Sequence, residues 1–416
     1  MSVRQIAEQT NQAYQKFLKQ GSTKLKNQVL ESIAQGLDRE KEFLSNENKK
    51  DLKKGEESGL GKAMLDRLAL NEKRIQGMID ACNEVAQLAD PVGKIENMVV
   101  RPQGFKVGRM RSPIGVIGII YEARPNVTIE AAILCLKSGN AVILRGGSNA
   151  FHSNMALVKI LQNALKKHGI DPNLISYLES TDRTAVDEML VQDDLIHLII
   201  PRGGEGLIRS VVEKSKIPVL KHYKGVCNLY VDQYADLDMA VRLTVNAKVQ
   251  RPAVCNSLET LVVDASIADA FLPKALKALQ DAGVEIRGCE RTRDVYSENV
   301  RSATEDDFYE EFLDLILAVK VVDGPDEAIQ FINRYGSAHT DSIVTQDVSR
   351  AQQFQKEVDS ASVMVNASTR LSDGGIYGLG AEIGISTDRL HARGPMGLEE
   401  LTTYKWIVQG EGHIRE

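Results

Sequence analysis

Cys255 stands in Val249-Gln250-Arg251-Pro252-Ala253-Val254-Cys255-Asn256-Ser257, a polar stretch between a helix-like segment and the strand-like Leu258 to Val263. A thiol that serves packing has little reason to sit there. A thiolate that attacks a carbonyl carbon needs partial exposure and donors around it, which Arg251 and Asn256 would supply. The competing meaning is a small loop residue, and the local sequence weighs the two evenly, because a nucleophile also needs partners elsewhere in the fold.

Other stretches pair a strand end with a polar group. Tyr121-Glu122-Ala123-Arg124-Pro125-Asn126 follows an apolar run at the carboxyl end, where open α/β sheets place ligands. An Asn amide there can donate to an oxyanion, and an Arg can hold a carboxylate or phosphate; taken alone, the stretch reads more simply as a proline turn with an Asn helix cap. Leu144-Arg145-Gly146-Gly147-Ser148 also ends a strand, and Arg145 is either a phosphate ligand or an ordinary loop arginine. Ile200-Pro201-Arg202-Gly203-Gly204-Glu205-Gly206 runs from strand into helix, so its N–H groups favour a phosphate, or else the tight turn simply requires glycine. Gly378-Leu379-Gly380-Ala381-Glu382-Ile383-Gly384 superficially matches a dinucleotide fingerprint, but its spacing and late position make it a false lead. The histidines show neither HExxH nor paired spacing, so no metal is expected. His222 reads as a satisfied structural histidine or as a residue lining the join of two domains.

The chain has 416 residues, more than one hydrophobic core usually supports, so two or three domains are expected. The 51 basic against 57 acidic residues, with no Lys/Arg block interleaved with aromatics, argue against a nucleic-acid platform. Five scattered cysteines, Cys82, Cys135, Cys227, Cys255 and Cys289, suit neither a disulfide framework nor zinc spacing and point to the cytoplasm. No apolar run approaches the ~18 residues of a membrane span, and no export signal is read.

Residues 3 to about 89 carry apolar positions at helical spacing and form a helical layer. Residues 97 to 110 read as a hairpin about Pro102-Gln103-Gly104. From residue 113 short apolar runs alternate with amphipathic helices in two series, the second beginning near Lys221 to Asp232. The fold class is α/β, with two doubly wound parallel-sheet domains behind the helical layer. The expected divisions are a cofactor-binding domain at 1–228, a catalytic domain with Cys255 at 229–365, and a return segment with a terminal strand at 366–416. The charged run Glu305 to Glu311 reads as a solvated helix face.

Together these stretches resemble the aldehyde dehydrogenase superfamily, closest to its glutamate-5-semialdehyde dehydrogenase branch. The resemblance is carried by Ser112-Pro113-Ile114-Gly115-Val116-Ile117-Gly118, Tyr121 to Asn126, Lys221-His222-Tyr223-Lys224-Gly225, Gln250 to Asn256, and His391-Ala392-Arg393-Gly394-Pro395-Met396-Gly397. It implies Cys255 as nucleophile and Asn126 as oxyanion donor. It also implies Gly203 and Gly204 as the pyrophosphate turn, Glu311 on the nicotinamide ribose, and residues 97–110 and 402–408 as an oligomerisation arm. Aldehyde-oxidising relatives carry a water-activating glutamate where His222 stands here. Loss of that base suits an acyl phosphate that is reduced rather than a thioester that is hydrolysed. NAD-specific relatives place Lys and, three residues on, Glu where this chain has Arg145 and Ser148; a carboxylate would repel a 2'-phosphate, so NADPH is expected.

The implied reaction is reduction of L-glutamyl 5-phosphate to glutamate 5-semialdehyde, with a homo-oligomeric enzyme supplied by a glutamate 5-kinase. The candidates for its anionic groups are Arg124, His222, Arg251, Asn366, Ser368 and Arg370. Two alternatives remain at this stage: reduction of another activated acid such as a CoA thioester, and a catalytically retired binding protein.

Overall fold

The structure, a computed structural model, describes residues 1–122 and 124–415; Ala123, inside the Tyr121 to Asn126 motif, and Glu416 lie outside the described residues. The chain divides into two compact units. One comprises Met1–Lys221, Gly378–Gly384 and Met396–Glu416, the other His222–Tyr377 and Ile385–Pro395.

The first unit opens with the helices Val3–Gln20, Thr23–Arg39, Lys41–Glu57, Lys62–Leu68 and Glu72–Gln87. Ser2 caps the first through a reciprocal box with Gln5, and Ser22 and Asn71 cap the second and last of these helices. Beyond them lies a parallel sheet ordered Ile175–Tyr177, Ala141–Arg145, Val116–Tyr121, Leu198–Arg202. Val116 to Tyr121 is buried at every position, as a strand covered on both faces must be. Ile95–Val100 and Lys106–Pro113 form the expected hairpin, with Gly104 at φ +96°, where a side chain would be strained. Thr402–Gln409 adds to it antiparallel.

The second unit is built on a parallel sheet ordered Val300–Ser302, Glu285–Gly288, Ile316–Val322, Leu258–Asp264, Cys227–Val231, Thr340–Val344, Ser362–Val365. Alternate residues of its strands feed two separate cores. Leu229, Val231, Leu261 and Val263 pack with Phe271, Leu272, Leu276 and Leu279 of the helix Ala268–Asp281. Tyr230, Val262 and Ile343 pack with Ile329, Phe331 and Ile332 of Pro325–Tyr335 and with Phe354 of Val348–Glu357. Period-2 alternation, with both faces apolar, is what makes a sheet wound on each side. The fold is the α/β arrangement expected.

One local expectation fails. Glu305 to Glu311 is not a solvated helix face: it holds a single turn, Asp306–Phe308, with Asp307 and Phe308 buried. Asp307 accepts from Arg287 at 2.6 Å and from the Thr304 N–H at 2.7 Å, so its charge faces inward partners.

Candidate active site

The helix Leu237–Val249, capped by Asp236, delivers the chain into the cysteine loop, and Leu258–Asp264 takes it away. Lys248 and Glu259 meet across the two ends of that loop at 2.6 Å, with neither side chain exposed. Burial raises the Glu259 carboxyl and lowers Lys248, and each partner's charge opposes the other's shift. Within the loop Asn256 is fixed: its amide donates to the Ser372 carbonyl at 2.8 Å, its carbonyl accepts from Thr369 Oγ1 at 2.8 Å, and its Oδ1 accepts from Arg370. Asn256 therefore serves the backbone of the loop.

Gly225 passes so close to Cys255 that a Cβ on it would lie 2.0 Å from the Cys255 carbonyl oxygen. Cys255 itself is half-buried. The Cys227 thiol donates to the Cys255 carbonyl at 3.2 Å, and its own burial raises it far from ionisation. Of these two sulfurs, Cys255 has the exposure a nucleophile requires.

Charge converges on this loop. The Arg370 guanidinium, held to Gln250 at 2.8 Å, is lowered chiefly by burial and also by Arg251, while Cys255 acts in the opposite sense. Two guanidinium groups that influence one another beside a thiol make this loop locally basic. Glu311 accepts from the Gly225 N–H and is raised by burial, with His339 opposing. His222 turns Nδ1 to the Ile385 carbonyl at 2.9 Å, and its ring meets that of His339 at 5.6 Å. His339 was not singled out by the sequence, since nothing in its local pattern marks it. Asn366 sits at φ +54° with its amide donating to, and accepting from, the Thr345 backbone at 2.9 Å. Ser368 is buried as the cap of Thr369–Leu371. Both positions brace the loop that carries Arg370.

In the first unit Asn126 is the first residue of the helix Asn126–Lys137, and the cap is Pro125. The helix-cap reading is therefore set aside: the Asn126 amide donates to Glu130 at 2.9 Å and is half-buried. Arg124 is exposed on the turn before it. Gly204 caps Glu205–Lys214, and its N–H already donates to the Glu122 carboxylate at 2.9 Å. A Cβ on Gly203 would strike Glu122 at 2.6 Å, whereas one on Gly204 meets nothing. Packing explains the first glycine and not the second.

Arg145 leaves the sheet with Nη1 on the Gly146 carbonyl at 3.1 Å and Nη2 on the Thr181 carbonyl at 3.0 Å, while its buried Nε has no hydrogen-bond partner among the described residues. Burial lowers it, and so does nearby Arg183. A buried donor with an unmet bond beside a second cation is a basic pocket with hydrogen-bonding capacity to spare. Arg183, at the start of the helix Arg183–Met189, was missed because its loop shows no motif. Ser148 is exposed on the turn after Arg145.

The model of the aldehyde dehydrogenase family matches residues 2–292 and 304–407. The chain belongs to the aldehyde dehydrogenase family. Within that family it is 57% identical over 401 residues to the gamma-glutamyl phosphate reductase of Thermodesulfovibrio yellowstonii, covering 96% of each chain. It is 55% identical over 413 residues to that of Citrifermentans bemidjiense, covering 99% of this chain and 98% of the relative. The crystal structure of gamma-glutamyl phosphate reductase from Thermotoga maritima superposes with a TM-score of 0.97 at 48% identity over 100% of both chains. An acetylating aldehyde dehydrogenase from Geobacillus thermoglucosidasius, at 18% identity and TM-score 0.69 over 100% of this chain and 97% of its own, shares the fold. The branch resemblance drawn from the motifs is borne out, and this aldehyde dehydrogenase family member is an oxidoreductase. Among the described residues no helix is long and apolar enough to cross a membrane.

Proposed function

We propose that the chain reduces L-glutamyl 5-phosphate to L-glutamate 5-semialdehyde with release of phosphate, the second step from glutamate to proline, and that NADPH is the reductant. The observation that carries this reading is the half-exposed Cys255 in a loop where the Arg370 guanidinium is held on its neighbour Asn256 and on Gln250. An acyl phosphate brings both an electrophilic carbon and a dianionic leaving group to such a loop.

Cys255 thiolate attacks the acyl carbon, Asn126 donates to the oxyanion, and Arg251 and Arg370 hold the phosphate until it departs and leaves a thioester. NADPH, when bound, supplies the hydride that turns this thioester into a thiohemiacetal. Collapse of the thiohemiacetal frees the aldehyde and returns the thiolate to Cys255. With His222 in place of a glutamate base, the thioester is spared from water. Arg145, Arg183 and Ser148 would hold the 2'-phosphate, Gly203 and Gly204 the pyrophosphate, and Glu311 the ribose. A glutamate 5-kinase would supply the short-lived substrate to a homo-oligomer of this chain.

Running the purified chain in reverse tests the reading. Glutamate semialdehyde and NADP should be consumed only when phosphate is present; equal rates with CoA in place of phosphate would overturn it.

A further inference from the structure

We propose that His222, Cys255 and His339 together bind a soft divalent cation, Zn2+ foremost, and that the bound ion withdraws the Cys255 thiol from electrophiles. The fold gathers these residues from three distant parts of the second unit. One ligand atom from each lies within 4.8 Å of the other two. Around a tetrahedral Zn2+, with Zn–S about 2.3 Å and Zn–N about 2.0 Å, ligand atoms stand roughly 3.3–3.7 Å apart. The three ligand atoms thus start close to the spacing that a tetrahedral ion requires.

The rings are prepared for this. His222 Nδ1 faces the Ile385 carbonyl at 2.9 Å; a proton there satisfies the carbonyl and leaves the lone pair on Nε2. A metal-bound histidine usually donates its other N–H in this way. His339 is buried with Nδ1 2.9 Å from Thr340 Oγ1, and its ring stands at 71° to that of His222. Both rings are thus held by neighbours other than the thiol.

The donor set selects the ion. A thiolate and two imidazoles suit Zn2+ and its soft congeners and reject Mg2+ and Ca2+, which require oxygen ligands. On binding, the S–H bond breaks, an S–Zn bond forms and the proton leaves to solvent; zinc keeps its charge and no electron moves. Three protein ligands leave a fourth position open to water. Cys255 and His222 are half-buried, so the ion can enter and leave. Binding stands on this geometry alone; only its consequence as a reversible brake on catalysis rests on the proposed function.

The test uses the full chain and Zn2+ alone. Competition against a chromophoric chelator should give one Zn2+ per chain, and His222→Gln and His339→Gln should each weaken it at least tenfold. Cd2+ should produce a thiolate-to-metal charge-transfer band. Alkylation of Cys255 by iodoacetamide, read by peptide mass, should slow at least tenfold with Zn2+ and recover with EDTA. These last two measurements need no variant, so they decide the matter even if a histidine variant misfolds. Alkylation unchanged by saturating Zn2+, or a missing charge-transfer band, overturns the site. Phosphate-dependent turnover that persists while protection fails would sink the metal site and leave the reaction standing; protection without turnover does the reverse.

Discussion

The Lys248 ammonium touches the Glu259 carboxylate at 2.6 Å inside the second unit, and the loop that bears Cys255 is strung between them. Neither charge reaches solvent, so each exists only because of the other. Lys248→Met strands a carboxylate and should cost about 3–5 kcal/mol in urea unfolding. The double change Lys248→Met with Glu259→Leu should recover most of that loss. A single variant as stable as the parent would show that the pair carries no such coupling.

Removing the reacting groups separates roles by size. Cys255→Ser should abolish semialdehyde formation, and Asn126→Ala should lower turnover a hundredfold or more, since an oxyanion donor is worth roughly 3 kcal/mol of barrier. Steady-state rates check both; a loss under threefold at Asn126 removes it from the mechanism.

Gly225 admits no side chain against the Cys255 carbonyl. Gly225→Ala should push the loop away, lowering stability by about 1–3 kcal/mol and activity with it. Thermal unfolding and turnover measured on the same sample would show whether the two fall together.

Cofactor choice should respond to the arginine pair. Arg183→Gln should raise KM for NADPH about tenfold or more and leave KM for NADH within twofold, because one charge-assisted contact to a phosphate is worth about 1.5–3 kcal/mol. Equal effects on both cofactors would place Arg183 outside the 2'-phosphate seat.

Asp359 gives a pH prediction. It accepts from Arg393 at 2.7 Å and from Arg389, which tie the segment Ile385–Pro395 to it, and the bond to Arg393 chiefly holds its carboxyl below the usual range. A carboxyl depressed in the folded state contributes its stability above the unfolded value of about 4 and loses it as pH falls further. Proteolysis within 385–395 should therefore accelerate on acidification toward pH 3, and Asp359→Asn should be cleaved readily at pH 7 as well.

How much of this was legible in the sequence depends on distance along the chain. The alternation of apolar runs and amphipathic helices was readable because each strand residue's destination follows from its neighbours. Cys255 stood out because a thiol in a polar loop is locally odd. The partners that define its surroundings were not legible: Gly225, His339 and the Lys248–Glu259 pair acquire meaning only by long-range approach. Asp307 was misread for the same reason, since a carboxylate in a charged run looks solvated until Arg287 is found against it. The row Tyr404, Trp406 and Val408, on alternate positions of the terminal strand, shows the converse: period 2 was readable, but the exposure of that face within the chain was not.

Glu122 on the Gly204 N–H means that the glycine turn arrives already neutralised by a tethered counter-ion. A dinucleotide bound there, as proposed, would trade places with that carboxylate instead of filling a bare positive end, and its net gain would be the difference between two anions. Such a swap would loosen the hold on spent cofactor, favouring quick turnover over tight retention.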